Sequence, residues 1–223
     1  MRGGLITSVR RWYQGLPPAT AAILAGLAGS YLVLVAIRIA SIETFDMVIG
    51  WLTLVPGSAW QRPWTILTMI LVHFDPFHAL FNLLSIASMG PWIERTIGRQ
   101  RYLQLLLACV VTGSILTVGI YWPTGSMRPV FGATGAALGL MTAFSLLFPE
   151  AELRFWFAAP LKAKNLVWLI VGMETIFLLG GMSIDVPVHF GGMVAAWAFL
   201  RKPWKPAYIR RIALKLRRLR GNR

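Results

Sequence analysis

Three histidines, one threonine and one asparagine are the side chains whose types and spacing could do chemistry in this chain. His78 and Asn82 stand four residues apart, so a helix puts them on one face, one turn apart, with hydrogen-bond donors aimed at one point. His73 precedes them in the same apolar stretch. Thr134 sits in Phe131-Gly132-Ala133-Thr134-Gly135-Ala136-Ala137-Leu138-Gly139, where Gly132, Gly135 and Gly139 let other backbones approach closely. His189 is followed by Gly191 and Gly192. A hydroxyl, an imidazole and a pair of side-chain donors are the parts of a nucleophile, a base and an oxyanion hole. Each also has a plainer reading. Histidine and asparagine can tie neighbouring membrane helices together, threonine is a good N-cap, and small residues are ordinary packing material.

Composition fixes the kind of scaffold that must hold these groups. Of 223 residues, 57% are hydrophobic and only 13% charged, about half the usual share for a soluble domain. Mean hydropathy is +0.64. These values exclude an ordinary soluble enzyme, a disordered chain and a disulfide scaffold. The single cysteine, Cys109, lies in an apolar stretch and leaves no internal disulfide. No polar linker divides the chain, so one domain is expected. The 22 Lys+Arg against 8 Asp+Glu give a net charge of +14. In so apolar a chain, an anionic lipid surface is the better partner for that charge, and nucleic acid is not expected.

A membrane helix needs about 20 apolar residues. Six segments meet or approach this: 19–40, 66–89, 102–122, 132–148, 166–182 and 186–200. Residues 41–63 are too long for a turn and too apolar for a solvated loop. Trp51 and Trp60 mark them as an interfacial loop after the first helix. No cleavable signal pattern precedes the first span, which predicts that it is retained. With six spans both termini share a side, and that side collects nineteen of the basic residues against Arg38, Arg62 and Arg128 on the other. The positive-inside rule makes it the cytoplasm, here that of a bacterial inner membrane. The layout is then a cytoplasmic N-terminus over 1–18, a membrane domain over 19–200 and a basic tail over 201–223. Within the tail, Ile209, Ile212, Leu216 and Leu219 recur at helical spacing among arginines and lysines. That pattern fits an amphipathic helix on anionic lipid, or equally a charged stop that sets topology. This topology also brings His78, Thr134 and His189 to the non-cytoplasmic ends of their spans, at one depth.

From about residue 63 to 200 the sequence resembles the rhomboid family of intramembrane serine proteases. Four motifs carry the likeness, in the family's order. They are His78-Ala-Leu-Phe-Asn82, Gly90-Pro-Trp-Ile-Glu94-Arg95-Thr-Ile-Gly98, Gly132-Ala-Thr134-Gly135 where the family has GxSG, and His189 with Gly192. The resemblance implies an all-α, six-transmembrane-helix rhomboid-like bundle around a cavity that opens away from the cytoplasm. It puts the nucleophile on Thr134 and the general base on His189. The oxyanion donors fall on His78 and Asn82, supported by Gly132, Gly135 and the backbone N–H near Thr134. It implies a dyad with no acidic third member, and neither cofactor nor metal. Glu94 and Arg95 fall at a cytoplasmic turn, without a chemical role.

Four positions depart from the family. Thr134 replaces serine, Leu138 stands where an aromatic is common, Val188 precedes His189 where the family has alanine, and Trp64 is followed by Thr65 rather than arginine. A threonine can be a nucleophile, but its β-methyl restricts χ1 and adds bulk beside the attacking oxygen. Three functions fit these residues: a protease acting on transmembrane helices, a silent relative that binds such helices in client or partner proteins, and a structural subunit of a larger membrane assembly. The topology is testable directly. Single cysteines at Gly3→Cys and Asn222→Cys should react with an impermeant reagent from one side of the membrane, and Ser58→Cys from the other. Reaction of positions 3 and 58 from the same side would refute it.

Overall fold

The computed structural model describes residues 12–153, 160–180 and 185–201. The expected amphipathic tail helix, and the cations Arg2, Arg10, Arg11 and Arg154, lie outside them. The first long helix, α1 (Pro18–Ala40), begins with proline at its first position, where a missing N–H costs nothing. Its remaining free N–H groups meet a distant carboxylate. Glu94 accepts from Ala19 N at 3.0 Å, Thr20 N at 2.7 Å and Thr20 Oγ1 at 2.8 Å. Such a charge at a helix N-terminus also complements the helix dipole.

After α1 the chain turns at Ser41, whose side chain caps α2 (Ile42–Leu52). The segment expected as a loop is therefore helical in its first half. It exposes Met47 and Trp51 and buries Phe45. Trp51 stacks on Trp64 with centroids 5.7 Å apart, and Arg62 covers the Trp51 ring at 4.7 Å. Two backbone hydrogen bonds between Leu54 and Val130, of 3.0 and 2.7 Å, pin this region to the strand-like segment leading into α6 (Thr134–Leu147).

The single span expected over 66–89 is not one helix. Residues Thr65–Leu71, comprising α3 (Thr65–Thr68) and a short 3-10 turn, are bent by 101° from α4 (Pro76–Ile97). Pro76 is the cause, because the residue before a proline is pushed out of helical geometry. Asp75 is extended there and caps α4 by accepting from His78 N at 2.9 Å. At its other end α4 runs eight residues past the expected stop. The motif Gly90–Gly98, expected as a turn, forms its last turns, because Pro91 removes one helical bond while Ile93, Glu94 and Ile97 are buried. Gly98, at φ +87°, ends the helix.

The remaining long helices among the described residues are α5 (Arg99–Tyr121), α6, α7 (Ala163–Leu179) and α8 (Val186–Arg201). A two-residue hairpin, β1 (Glu152–Leu153) with β2 (Leu161–Lys162), joins α6 to α7. Beside it, Lys164 and Lys162 each lie 3.0 Å from Glu150 and hold its exposed carboxyl below the ordinary range. Among the described residues, α1 and residues Arg99–Thr124 are each long and apolar enough to cross a membrane alone, and α4 qualifies together with its bent partner. The chain is a helical integral membrane protein. At its centre stands α6, with ten of its fourteen residues buried, packed against α4, α5, α7 and α8.

Helices in lipid gain little from burying apolar surface against one another, so close packing of small residues holds them. A Cβ at Gly135 would lie 2.7 Å from the Val188 carbonyl oxygen, so glycine is what lets α6 meet α8 there. The Glu94 cap makes a separate claim on stability. Glu94→Ala leaves two buried N–H groups and a hydroxyl without their acceptor and should destabilise the bundle by about 3 kcal/mol or more in a detergent-unfolding titration. A change under about 0.5 kcal/mol would show that the cap is immaterial.

Candidate functional site

Thr134 is the first residue of α6, but its hydroxyl does not cap the helix; Ala133 occupies the cap position, without a side-chain bond. The hydroxyl is engaged elsewhere. Its Oγ1 lies 2.6 Å from His78 Nε2 and accepts from Asn82 Nδ2 at 3.3 Å. Both partners come from the first turns of α4, where the helical spacing of His78 and Asn82 puts them on one face. The two expected oxyanion donors therefore converge on the threonine oxygen.

Behind them stands His73, in the break between α3 and α4. Its Nε2 receives Asn82 Nδ2 at 3.0 Å and the backbone N–H of Ala133 at 3.2 Å. A ring nitrogen that accepts twice carries no proton, so His73 is neutral, with its proton on Nδ1. That Nδ1 is buried without a hydrogen-bond partner among the described residues. Asn82 spends both its amide hydrogens here, one on His73 and one on Thr134, which fixes which way its amide points. The chain of bonds runs from the Ala133 backbone to the Thr134 hydroxyl in three links.

Gly132 gives this cluster room. Its φ of +100° suits glycine alone, and a Cβ there would lie 2.5 Å from His78 Cε1 and 2.8 Å from His78 Nε2. Gly135 serves the opposite side by admitting the Val188 carbonyl. His189 follows in the first turn of α8, its N–H bonded to the Asp185 carbonyl at 3.2 Å. Thr134, His78 and His189 all line one cavity of about 560 Å³ with Phe74, Phe131 and Phe177. Asp185 lies at the same cavity, ahead of α8, and burial holds its carboxyl above the usual range against the pull of Arg128 and His189.

Among the described residues His189 does not hydrogen-bond the Thr134 hydroxyl. Its Nδ1 instead lies 3.0 Å from Glu174 Oε1. The resemblance implied a dyad with no acid, so this carboxylate was not foreseen. A signal for it existed. Glu174 is the single acidic residue of the apolar helix α7, and an ionisable group at membrane depth is a functional candidate by default. The departures from the family also find their places. Thr65 is buried and donates to the Arg62 carbonyl at 2.6 Å, while Leu138 packs into the main core. Glu94 and Arg95 lie away from the cavity, Glu94 accepting from the N-terminus of α1 and Arg95 donating to the Gly15 carbonyl at 2.8 Å.

A domain-family profile described as Rhomboid domain matches residues 60–203. The chain belongs to the rhomboid family. Among rhomboid relatives, the Rhomboid protease GluP of Bacillus subtilis is 31% identical over 134 residues, 60% of this chain and 25% of that protein. RHOMBOID-like protein 12, mitochondrial, of Arabidopsis thaliana is 29% identical over 62% of this chain and 46% of its own length. Presenilin-associated rhomboid-like protein, mitochondrial, of Mus musculus is 24% identical over 85% of this chain and 50% of its own. The chain thus spans a quarter to a half of these rhomboids. Its own site makes a local demand that can be measured. Gly132→Ala should destabilise the protein by about 1–3 kcal/mol and move the His78 ring resonances as that ring is pushed off Thr134. Unchanged stability and unchanged His78 signals would show that the close fit is not real.

Proposed function

We propose that this rhomboid is an intramembrane endopeptidase that cleaves transmembrane helices of client proteins, with Thr134 as nucleophile and His189 as general base. One observation carries the reading: the Thr134 oxygen accepts from Asn82 and lies 2.6 Å from His78 Nε2, at the cavity that His189 lines. With Nε2–H of His78 and Nδ2–H of Asn82 both donating, the threonine oxygen keeps its own proton free for a base. Oγ1 attacks the scissile carbonyl as that proton passes to His189. The carbonyl oxygen becomes an oxyanion and takes over the His78 and Asn82 donors, which are already in position. His189 returns the proton to the departing amine, leaving an ester on Thr134. Water then gives a proton to His189 as it attacks the ester. His189 returns that proton to Oγ1 as the acyl–oxygen bond breaks, releasing the carboxylic acid and restoring the threonine.

In this reading six helices (α1, α4, α5, α6, α7 and α8) span a bacterial inner membrane, with both termini in the cytoplasm. The end that carries Trp92 and Phe148, whose rings lie 6.2 Å apart, is the cytoplasmic one. There the cations Arg95, Arg99, Arg101, Lys162 and Lys164 support that orientation. The α2 region and its stacked tryptophans lie at the outer interface, and the basic tail meets anionic lipid.

A second reading rests on a specific observation. The Thr134 hydroxyl is paired with His78 rather than with His189, whose Nδ1 is turned to Glu174. On that reading the protein binds client helices without cutting them. A fluorophosphonate probe separates the two, because it needs only an activated hydroxyl. Wild type should label, Thr134→Ser should label and cleave a model transmembrane substrate faster, and Thr134→Ala and His189→Ala should lose at least about 100-fold. No labelling of wild type or of the serine variant would leave client binding as the function.

A further inference from the structure

The use of Glu174 is not accounted for by the proposed chemistry. Its helix, α7, buries only Ala163, Leu166, Ile170 and Glu174, which recur at intervals of three and four and so form one stripe. Glu174 therefore ends an otherwise apolar stripe, and its helix packs on α6. Its side chain is 10% exposed and that of His189 is 12%. Oε1 contacts His189 Nδ1 at 3.0 Å, whereas Oε2 is buried with no hydrogen-bond partner among the described residues. A buried carboxylate needs compensation. Among the described residues the His189 imidazole is the group that supplies it.

We propose that Glu174 is a positioning residue that holds His189 by Nδ1 and so leaves Nε2 as the nitrogen that takes the Thr134 proton, which rests on the hydrolytic reading above. The physical logic is that of tautomers. An imidazole donating Nδ1–H to a carboxylate must carry its lone pair on Nε2. The same contact fixes the ring plane, which a lone histidine in the first turn of a helix would otherwise leave to its own rotamers. When Nε2 accepts the proton, the imidazolium forms against a negative charge already in place, and the carboxylate itself stays unprotonated. Glu174, His189 and Thr134 share the same cavity. Base, carboxylate and nucleophile come from α8, α7 and α6 respectively; α7 and α8 each pack on α6, and the Glu174–His189 contact bridges them. A merely structural contact between α7 and α8 would need no charge. An amide at position 174 could bridge the helices equally well.

The full chain in detergent micelles, with ¹⁵N-labelled histidine, gives the test. Wild type should show His189 protonated at Nδ1 and bare at Nε2. Glu174→Gln keeps the shape but loses the charge, and its amide can donate to Nδ1. It should move the proton to Nε2 and slow fluorophosphonate labelling by about 100-fold or more. Its unfolding midpoint should stay close to that of wild type, and Glu174→Asp should recover part of the rate. Glu174→Gln labelling at the wild-type rate, with the His189 tautomer unchanged, would overturn the proposal. The tautomer measurement stands apart from activity. If wild type does not label but shows the Nδ1–H tautomer, and Glu174→Gln reverses it, the positioning role holds and the hydrolytic reading fails. Should Glu174→Gln not fold, wild type alone decides, because an Nε2–H tautomer there contradicts the proposal outright.

Discussion

The backbones of α6 and α8 come together where Gly135 meets the Val188 carbonyl, and the rest of the cavity is arranged around that contact. Gly135 follows Thr134 and Val188 precedes His189. One close approach between two helices thus sets the relative depth of hydroxyl and imidazole, with one residue of slack on each side. A membrane supplies no strong apolar driving force for such a contact, so its closeness is its strength. This also explains why α6 can be so short. Its fourteen residues are surrounded by other helices rather than by lipid, and most of their surface is already spoken for.

A second constraint acts through hydrogen bonds. Polar groups at membrane depth must find partners within the protein. Here the solution is the break before Pro76. It places His73 and His78 on opposite sides of a bend yet brings their rings to 5.0 Å. A continuous helix would set residues 73 and 78 about 140° apart around its axis. Bending the chain instead folds both rings towards the start of α6, where Ala133 and Thr134 receive them. The Asn82 amide that donates to the threonine oxygen is therefore itself tied to His73, while the backbone N–H of His78 is tied to the cap at Asp75.

Much of this was legible from the residues. Both α1 and α5 fall within three residues of the expected spans, because long apolar runs flanked by Pro17-Pro18 and by Arg99 and Arg101 leave little freedom. The pairing of His78 with Asn82 follows from helical period alone. The bend between α3 and α4 was harder to read, since the apolar run continues through it and only Asp75-Pro76 betrays the break. The motif from Gly90 to Gly98 misleads for the reverse reason. Its glycine and proline suggest a turn, but burial of Ile93 and Glu94 keeps it helical. The contact of Glu174 is not legible from its own helix, because its partner, His189, lies on another helix fifteen residues along the chain. Periodicity along one helix says nothing about what faces it.

The contact between Gly135 and Val188 has a consequence for biogenesis. A chain is made from its N-terminus, and early segments fold as they emerge. The helix α6 leaves the ribosome well before α8, the last of the described helices, so for that interval Gly135 lacks the Val188 carbonyl it packs against. The threonine can meet His78 and Asn82 as soon as α6 inserts, because both lie earlier in the chain. The imidazole arrives only with α8. The two halves of the cavity are thus assembled in sequence, and a polypeptide arrested before residue 186 would hold the hydroxyl in place without the group positioned opposite it.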